Sequence, residues 1–242
     1  MPPLLALDKV SKRFGAIVIA DGIDLALAPG EALGIIGPNG AGKTTLFGIM
    51  TGTIAPDSGR VLFEGADITR ASPSRRCIMG IARSFQIPQP FGDMTVFENL
   101  VVAAAFGARQ RERDVYGPCM DILAQCGLAG AANRRAGSLT LIDRKRLELA
   151  RALATQPRVL LLDEVAGGLT EPECAALVAL IKELRQTGLS IIWIEHVVHA
   201  LLAAIDRLVV LHGGSLIAQG DPQMVIRSPA VADIYLGIAA DA

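Results

Sequence analysis

Apolar residues follow two rhythms along the chain. Residues 3–28 and 60–68 carry short alternating or β-branched apolar runs, the spacing of strands with one buried face, and they predict an antiparallel sheet. Residues 30–37 form an apolar run that enters a glycine-rich loop. The helix that follows starts at about Lys43 and ends near Gly52, a residue suited to a left-handed cap. Three further unbroken runs, at 159–162, 190–194 and 208–211, read as parallel strands buried on both faces. Helical patterns such as 171–186 lie between them. Strand alternating with helix predicts an α/β domain. The middle differs: from about 87 to 155 the pattern is helical with few strand-like runs. The expected organisation is a single domain, with an α/β core from 1–86 and 156–242 and a helical subdomain at 87–155. No internal repeat interrupts it.

Composition narrows the function. Of the 242 residues, 51% are apolar, which excludes a disordered chain. The longest stretches without Asp, Glu, Lys or Arg, 44–56 and 208–220, are 13 residues each, short of the ~18 that a membrane-spanning helix needs. Basic and acidic side chains balance at 23 against 24, and aromatics are 4%. Both argue against a nucleic-acid binder relying on a basic face or on base stacking. The N-terminal segment has no basic stretch ahead of its apolar run and does not read as a signal peptide. Cys77, Cys119, Cys126 and Cys174 show no paired metal spacing and read as reduced thiols.

Candidate chemistry begins at Gly37-Pro38-Asn39-Gly40-Ala41-Gly42-Lys43-Thr44, which fits the phosphate-loop pattern GxxxxGK[ST] in full. Glycines let the backbone turn so that successive N–H groups point inward. Those donors and the positive end of the helix hold the β- and γ-phosphates of a nucleotide. Lys43 adds a point charge, and the Thr44 hydroxyl can ligate Mg2+. A second element follows the apolar strand at 159–162, where Asp163 and Glu164 stand at the strand's carboxyl end. Ligands of doubly wound sheets sit there. Asp163 would orient Mg2+, and Glu164 would polarise water beside the γ-phosphate.

In chain order, the phosphate loop, Gln86, a Leu-Thr segment ahead of a basic helix, Asp163-Glu164 and His196 resemble the ATP-binding subunits of ABC transporters. The resemblance covers nearly the whole chain. Residues 80–100, GIARSFQIPQPFGDMTVFENL, are similar to the branch that serves branched-chain amino acid importers, as is the ending at 228–237. The resemblance implies a P-loop NTPase core with an antiparallel β subdomain and an inserted helical subdomain. It implies an ATPase using ATP and Mg2+, with Phe14 stacking on adenine and Gly37, Pro38, Asn39, Gly40, Ala41, Gly42, Lys43, Thr44 and Thr45 around the phosphates. Thr44, Gln86 and Asp163 would serve the metal, and Glu164, Gln86 and His196 the hydrolysis. The implied partners are a second ATPase subunit, two membrane permease subunits and, indirectly, a substrate-binding protein, with no nucleic acid. The implied location is peripheral, on the cytoplasmic face of the inner membrane. Pro88, Pro90, Phe91 and Met94 offer an apolar surface for the membrane partner. His199 and His212 match nothing in the pattern, and Trp193 reads as core.

The chain departs from the family at its signature. Where LSGGQ is expected it has Leu139-Thr140-Leu141-Ile142-Asp143. Both glycines are gone and an acid replaces Gln. Thr140 and Asp143 have the spacing of a capping box. Val165 and Thr170 are milder departures, standing where Pro and an Asp or Asn are usual. The eroded signature keeps open an alternative reading, a nucleotide-binding regulatory subunit with little turnover.

Overall fold

The computed structural model describes residues 2–229 and 231. The chain runs β1 (Leu5–Phe14), β2 (Ile17–Leu27), β3 (Ala32–Ile36), α1 (Lys43–Thr51), β4 (Ser58–Phe63), β5 (Ala66–Asp67), α2 (Pro73–Ile78) and β6 (Ile81–Ser84). Helices α3 (Val96–Val102), α4 (Glu112–Gln125) and α5 (Leu141–Ala154) follow. The chain then continues through β7 (Val159–Asp163), α6 (Glu171–Gln186), β8 (Ser190–Ile194), α7 (Val198–Leu202), β9 (Arg207–His212), β10 (Ser215–Gly220) and α8 (Pro222–Ile226).

Two sheets divide the strands. The first has the order β2-β1-β4-β5 and is antiparallel, as the alternating runs near the N-terminus predict. The second has the order β10-β9-β3-β8-β7-β6. Its β9, β3, β8, β7 and β6 are parallel, and β10 closes one edge antiparallel to β9. Every residue of β3, β7 and β8 is buried, which explains their unbroken apolar runs: both faces of these strands are covered. Their side chains still alternate between two cores. Leu160 and Leu162 of β7, with Ile191 and Trp193 of β8, pack toward α5 and α6. Val159, Leu161, Ile192 and Ile194 pack toward α1 and the antiparallel sheet. Trp193 is fully buried, as its place in the run predicts.

Among the described elements between 87 and 155, none is a strand of either sheet. Helix α3 starts at a reciprocal capping box between Thr95 and Glu98, then continues into a π-helical turn at Ala103–Gly107. Val96, Leu100, Val115, Cys119, Leu123 and Leu147 join α3, α4 and α5 into the core on the α5–α6 side of the parallel sheet. No helix among the described residues is long and apolar enough to cross a membrane.

Four elements lie outside what the hydrophobic pattern predicts, one of them the short helix α8. β6 is only four residues and half of it is Arg83 and Ser84. β10 is an edge strand with mostly half-exposed positions. α2 is a six-residue helix whose signals are its N-cap Ser72 and the proline at its start. The four cysteines carry no disulfide, and burial pushes the Cys126 thiol up to about 12. Most of the sequence ending at 228–237 lies outside the described residues.

Candidate active site

The phosphate-loop pattern occupies the turn between β3 and α1. Gly40 and Gly42 have φ of 80° and 100°, the left-handed region open to glycine. Gly37 is required for a different reason: a Cβ there would sit 2.2 Å from the Leu211 carbonyl oxygen on β9. The loop is thus wedged against the neighbouring strand. Lys43 opens α1 and is buried, its Nζ donating to the carbonyls of Gly37 at 2.7 Å and Pro38 at 3.1 Å. Burial lowers the Lys43 pKa from its ordinary value, while the charges of Glu164 and Asp163 pull it back up. The basic end of the loop and the two acids therefore share one electrostatic environment. Thr44 is exposed on the first turn of α1, with Thr45 beside it half-buried.

The acids arrive from the end of β7, the residues after β8 carry His196, and those after β6 carry Gln86. These three strands and β3 are contiguous in the sheet, so their carboxyl ends bring together residues separated by more than a hundred positions. Glu164 is the meeting point. Gln86 Nε2 donates to Glu164 Oε2 in a close contact, and His196 Nε2 lies 2.8 Å from Glu164 Oε1. The acceptor is a carboxylate, so the His196 nitrogen donates. Glu164 itself has φ of 49°, a strained backbone for a residue with a side chain. Its N–H is fixed to the Ile194 carbonyl at 2.9 Å.

Asp163 is 2% exposed. Its Oδ2 accepts from Arg83 Nη2 at 2.5 Å, and its Oδ1 is buried with no partner among the described residues. Arg83 is held over the rings of Phe47 and Phe85, with its guanidinium 5.6 Å and 5.0 Å from their centroids. Thr44, Gln86 and Asp163 line one cleft of about 470 Å³. The Asp163 Oδ1, the Thr44 hydroxyl and the Gln86 amide oxygen form an all-oxygen donor set suited to a hard divalent cation. The described residues contain no cluster of three or more His, Cys, Asp or Glu able to hold a metal ion by themselves. A metal here would take its remaining oxygens from phosphate and water, the usual arrangement for Mg2+.

Phe14 ends β1 with its ring half exposed and the Lys12 ammonium 5.3 Å from the ring centre. The hairpin it belongs to reaches the phosphate loop, since Ile19 of β2 packs against Gly42 so closely that a Cβ there would clash at 2.7 Å. His199 and His212 are both exposed and take no part in this cluster.

The segment at 139–143 forms the start of α5. Thr140 is its N-cap, accepting from the Asp143 N–H at 3.3 Å. The reciprocal half of the predicted capping box is missing, because the Asp143 carboxylate faces Arg146 at 3.6 Å instead. The short Asp side chain does not return to the cap as Glu does at Thr95. Leu139 is buried, while the Leu141 side chain is 59% exposed on the first turn.

Three residues around the cluster carry no family pattern in the sequence reading: Arg83, Lys145 and Glu195. Arg83 is a charge inside a buried strand, and Glu195 is an acid directly after the apolar run of β8. Those contrasts are the signals that could have found them.

The chain matches the ABC transporter family model over residues 20–167. It is 36% identical to the high-affinity branched-chain amino acid transport ATP-binding protein LivG of Escherichia coli (strain K12), over 98% of this chain and 99% of that protein. It is 34% identical to the corresponding protein BraF of Pseudomonas aeruginosa, over the same shares. The fold is similar to an ATP-binding cassette of an ABC transporter solved in its ADP conformation, with a TM-score of 0.89 at 32% identity, covering 98% of this chain and all of that one.

Proposed function

The chain belongs to the ABC transporter family of ATP-binding proteins, and on that premise we propose that it is the ATP-hydrolysing motor subunit of an importer for branched-chain amino acids or related small organic acids. The ATPase role follows from the family. The substrate class is supported by the relatives' transport names and by their coverage of nearly the whole chain. Assignment of the hydrolytic machinery is carried by one observation: the Glu164 carboxylate accepts from Gln86 and His196 at once, beside Lys43 of the phosphate loop.

In this reading the γ-phosphate lies between the loop N–H groups and Lys43. Drawing the Lys43 ammonium onto phosphate exchanges two backbone carbonyl acceptors for charged oxygens. Adenine stacks on the exposed Phe14 ring. Bound Mg2+ would neutralise charge on the β- and γ-phosphates, held by Thr44 Oγ1 and, directly or through water, by Asp163 Oδ1 and Gln86 Oε1. Arg83 grips only Oδ2 of Asp163, leaving the other oxygen without a partner among the described residues. Glu164 accepts a proton from the attacking water as general base. Gln86 and His196 hold its carboxylate in place, and His196, 42% exposed at its side chain, can turn to the γ-phosphate.

The division proposed for the chain is a nucleotide-binding core at 1–86 and 156–242 with a helical subdomain at 87–155. The membrane partner docks beside Gln86, where Ile87, Phe91 and Met94 expose apolar surface. Phe91 is anchored by its backbone to the Asn99 side chain, while its ring stays half exposed near Arg151. A Phe91→Glu variant should lose transport while binding ATP within about twofold of wild type, the scale expected of a surface change. Vesicle uptake and nucleotide titration measure the two quantities. Lost ATP binding would mean that Phe91 supports the nucleotide site rather than the docking surface.

The working assembly is a heterodimer of two different ATPase subunits with two permeases, on the cytoplasmic face of the membrane. The altered start of α5 supports the heterodimer. Leu141 projects where small residues are usual in the family, and Asp143 adds negative charge near an incoming phosphate. In a head-to-tail pair this surface completes the partner's ATP site, and the partner's signature completes the site on Lys43. The site using this chain's Glu164 should therefore do most of the hydrolysis. In the assembled transporter, Glu164→Gln should remove more ATPase activity than the matching change in the partner. A larger loss from the partner's variant would overturn the asymmetry.

A further inference from the structure

The backbone after Glu164 is gripped from two separate elements. Val165 and Ala166 are buried, and the turn then emerges at Gly167 and Gly168. Glu195, 1% exposed and immediately before His196, accepts the Ala166 N–H on its Oε1 at 3.0 Å. Lys145, one turn into α5, donates from Nζ to the Val165 carbonyl at 3.2 Å and, more closely, to the Gly167 carbonyl. We propose that Lys145 and Glu195 are positioning residues that jointly clamp residues 165–167 and so hold Glu164 in its left-handed conformation against Gln86 and His196.

The strain at Glu164 motivates the clamp. A residue with a side chain keeps φ near 49° only where its surroundings fix the chain on either side. The Glu164 N–H to Ile194 fixes the approach. Glu195 and Lys145 fix the exit, through one N–H and two carbonyls within three consecutive residues. Glu195 is buried and Lys145 half-buried, and the roles of both are otherwise unexplained. Burial lowers the Lys145 pKa, with Glu195 and Glu164 opposing the shift. Around Glu195 stand Asp163 and Glu164 from β7 and its end, Lys145 from α5 and the Cys174 thiol of α6. Burial, with the two acids, raises the Glu195 carboxyl to about 7 against the pull of Lys145 and the Ala166 N–H. A carboxyl that close to neutrality already tolerates the uncharged form, so an amide of the same shape is an acceptable replacement. The clamp also gives α5 a direct line to the catalytic carboxylate. Thr140 to Asp143 at its start face the partner subunit in the proposed assembly, and Lys145 on the following turn touches the loop that carries Glu164.

The inference rests on Glu164 being the general base, and a Glu164→Gln control separates the two ideas. If that control turns over ATP normally, the base assignment fails regardless of the clamp. With the control inactive, Glu195→Ala and Lys145→Met in the assembled transporter should each lower kcat about 10- to 100-fold, the scale of a misplaced catalytic group. KM for ATP and the affinity for ADP should stay near wild type. Glu195→Gln keeps an oxygen for the Ala166 N–H and should retain most of kcat, a rescue that a charge-dependent role would not give. Wild-type kcat in Lys145→Met or in Glu195→Ala, or a Glu195→Gln as impaired as Glu195→Ala, would overturn the clamp. Should Glu195→Ala not fold, Lys145→Met and Glu195→Gln carry the test between them.

Discussion

A Lys43→Ala variant should bind ATP at least about 100-fold more weakly than wild type. The ammonium is the positive side chain of the phosphate loop, and charge-assisted hydrogen bonds contribute about 1.5–3 kcal/mol each. Two phosphates share it in the proposed complex, so the expected loss exceeds that of one contact. Alanine also removes the cation that offsets Asp163 and Glu164, both of which act electrostatically on Lys43. Their repulsion of the triphosphate would then be less opposed. Lys43 already hydrogen-bonds the loop's own carbonyls, so the variant is also expected to loosen the loop. Calorimetric titration with ATP and with ADP tests the assignment, and an affinity within about twofold of wild type would remove Lys43 from the site.

Glu164→Gln is expected to leave binding intact and to slow hydrolysis by ~10² to 10⁴, the usual contribution of a positioned general base. The amide preserves the shape of the carboxylate, and its oxygen can still accept from Gln86 or His196. What it loses is the capacity to take a proton from water. ATP should then hold the dimer closed for longer, giving an ATP-dependent shift to the dimer on size exclusion. Turnover near the wild-type rate would mean that another group accepts the proton.

How much of this was legible in the sequence depends on how each feature is encoded. β3, β7 and β8 announce themselves because strands covered on both faces need apolar side chains at every position. The phosphate loop is equally legible, since its glycines answer to backbone geometry that no other residue supplies. Glu164, Gln86 and His196 could be named through the family pattern, and the structure adds that they share hydrogen bonds. Other features were hidden for physical reasons. β6 is short and half polar because Arg83 serves Asp163 rather than the core. The Lys145 and Glu195 contacts are tertiary, made to backbone atoms of a distant loop, and neither residue type is diagnostic of that. The capping box expected at Thr140 failed because a spacing rule does not say which partner the acid prefers, and Arg146 was nearer.

The order of strands has a consequence for biosynthesis. β3 leads into the phosphate loop and is made early, but its neighbours in the sheet are β8 and β9, which leave the ribosome more than 150 residues later. Until then the Ala32–Ile36 strand has neither edge paired, and its apolar faces lack much of their cover. Long-range pairing of this kind slows folding and lengthens the exposure of sticky segments. The nucleotide site cannot assemble progressively during translation. Its sheet is complete only once β8 and β9 are available, so ATP binding cannot protect the central strand during that interval.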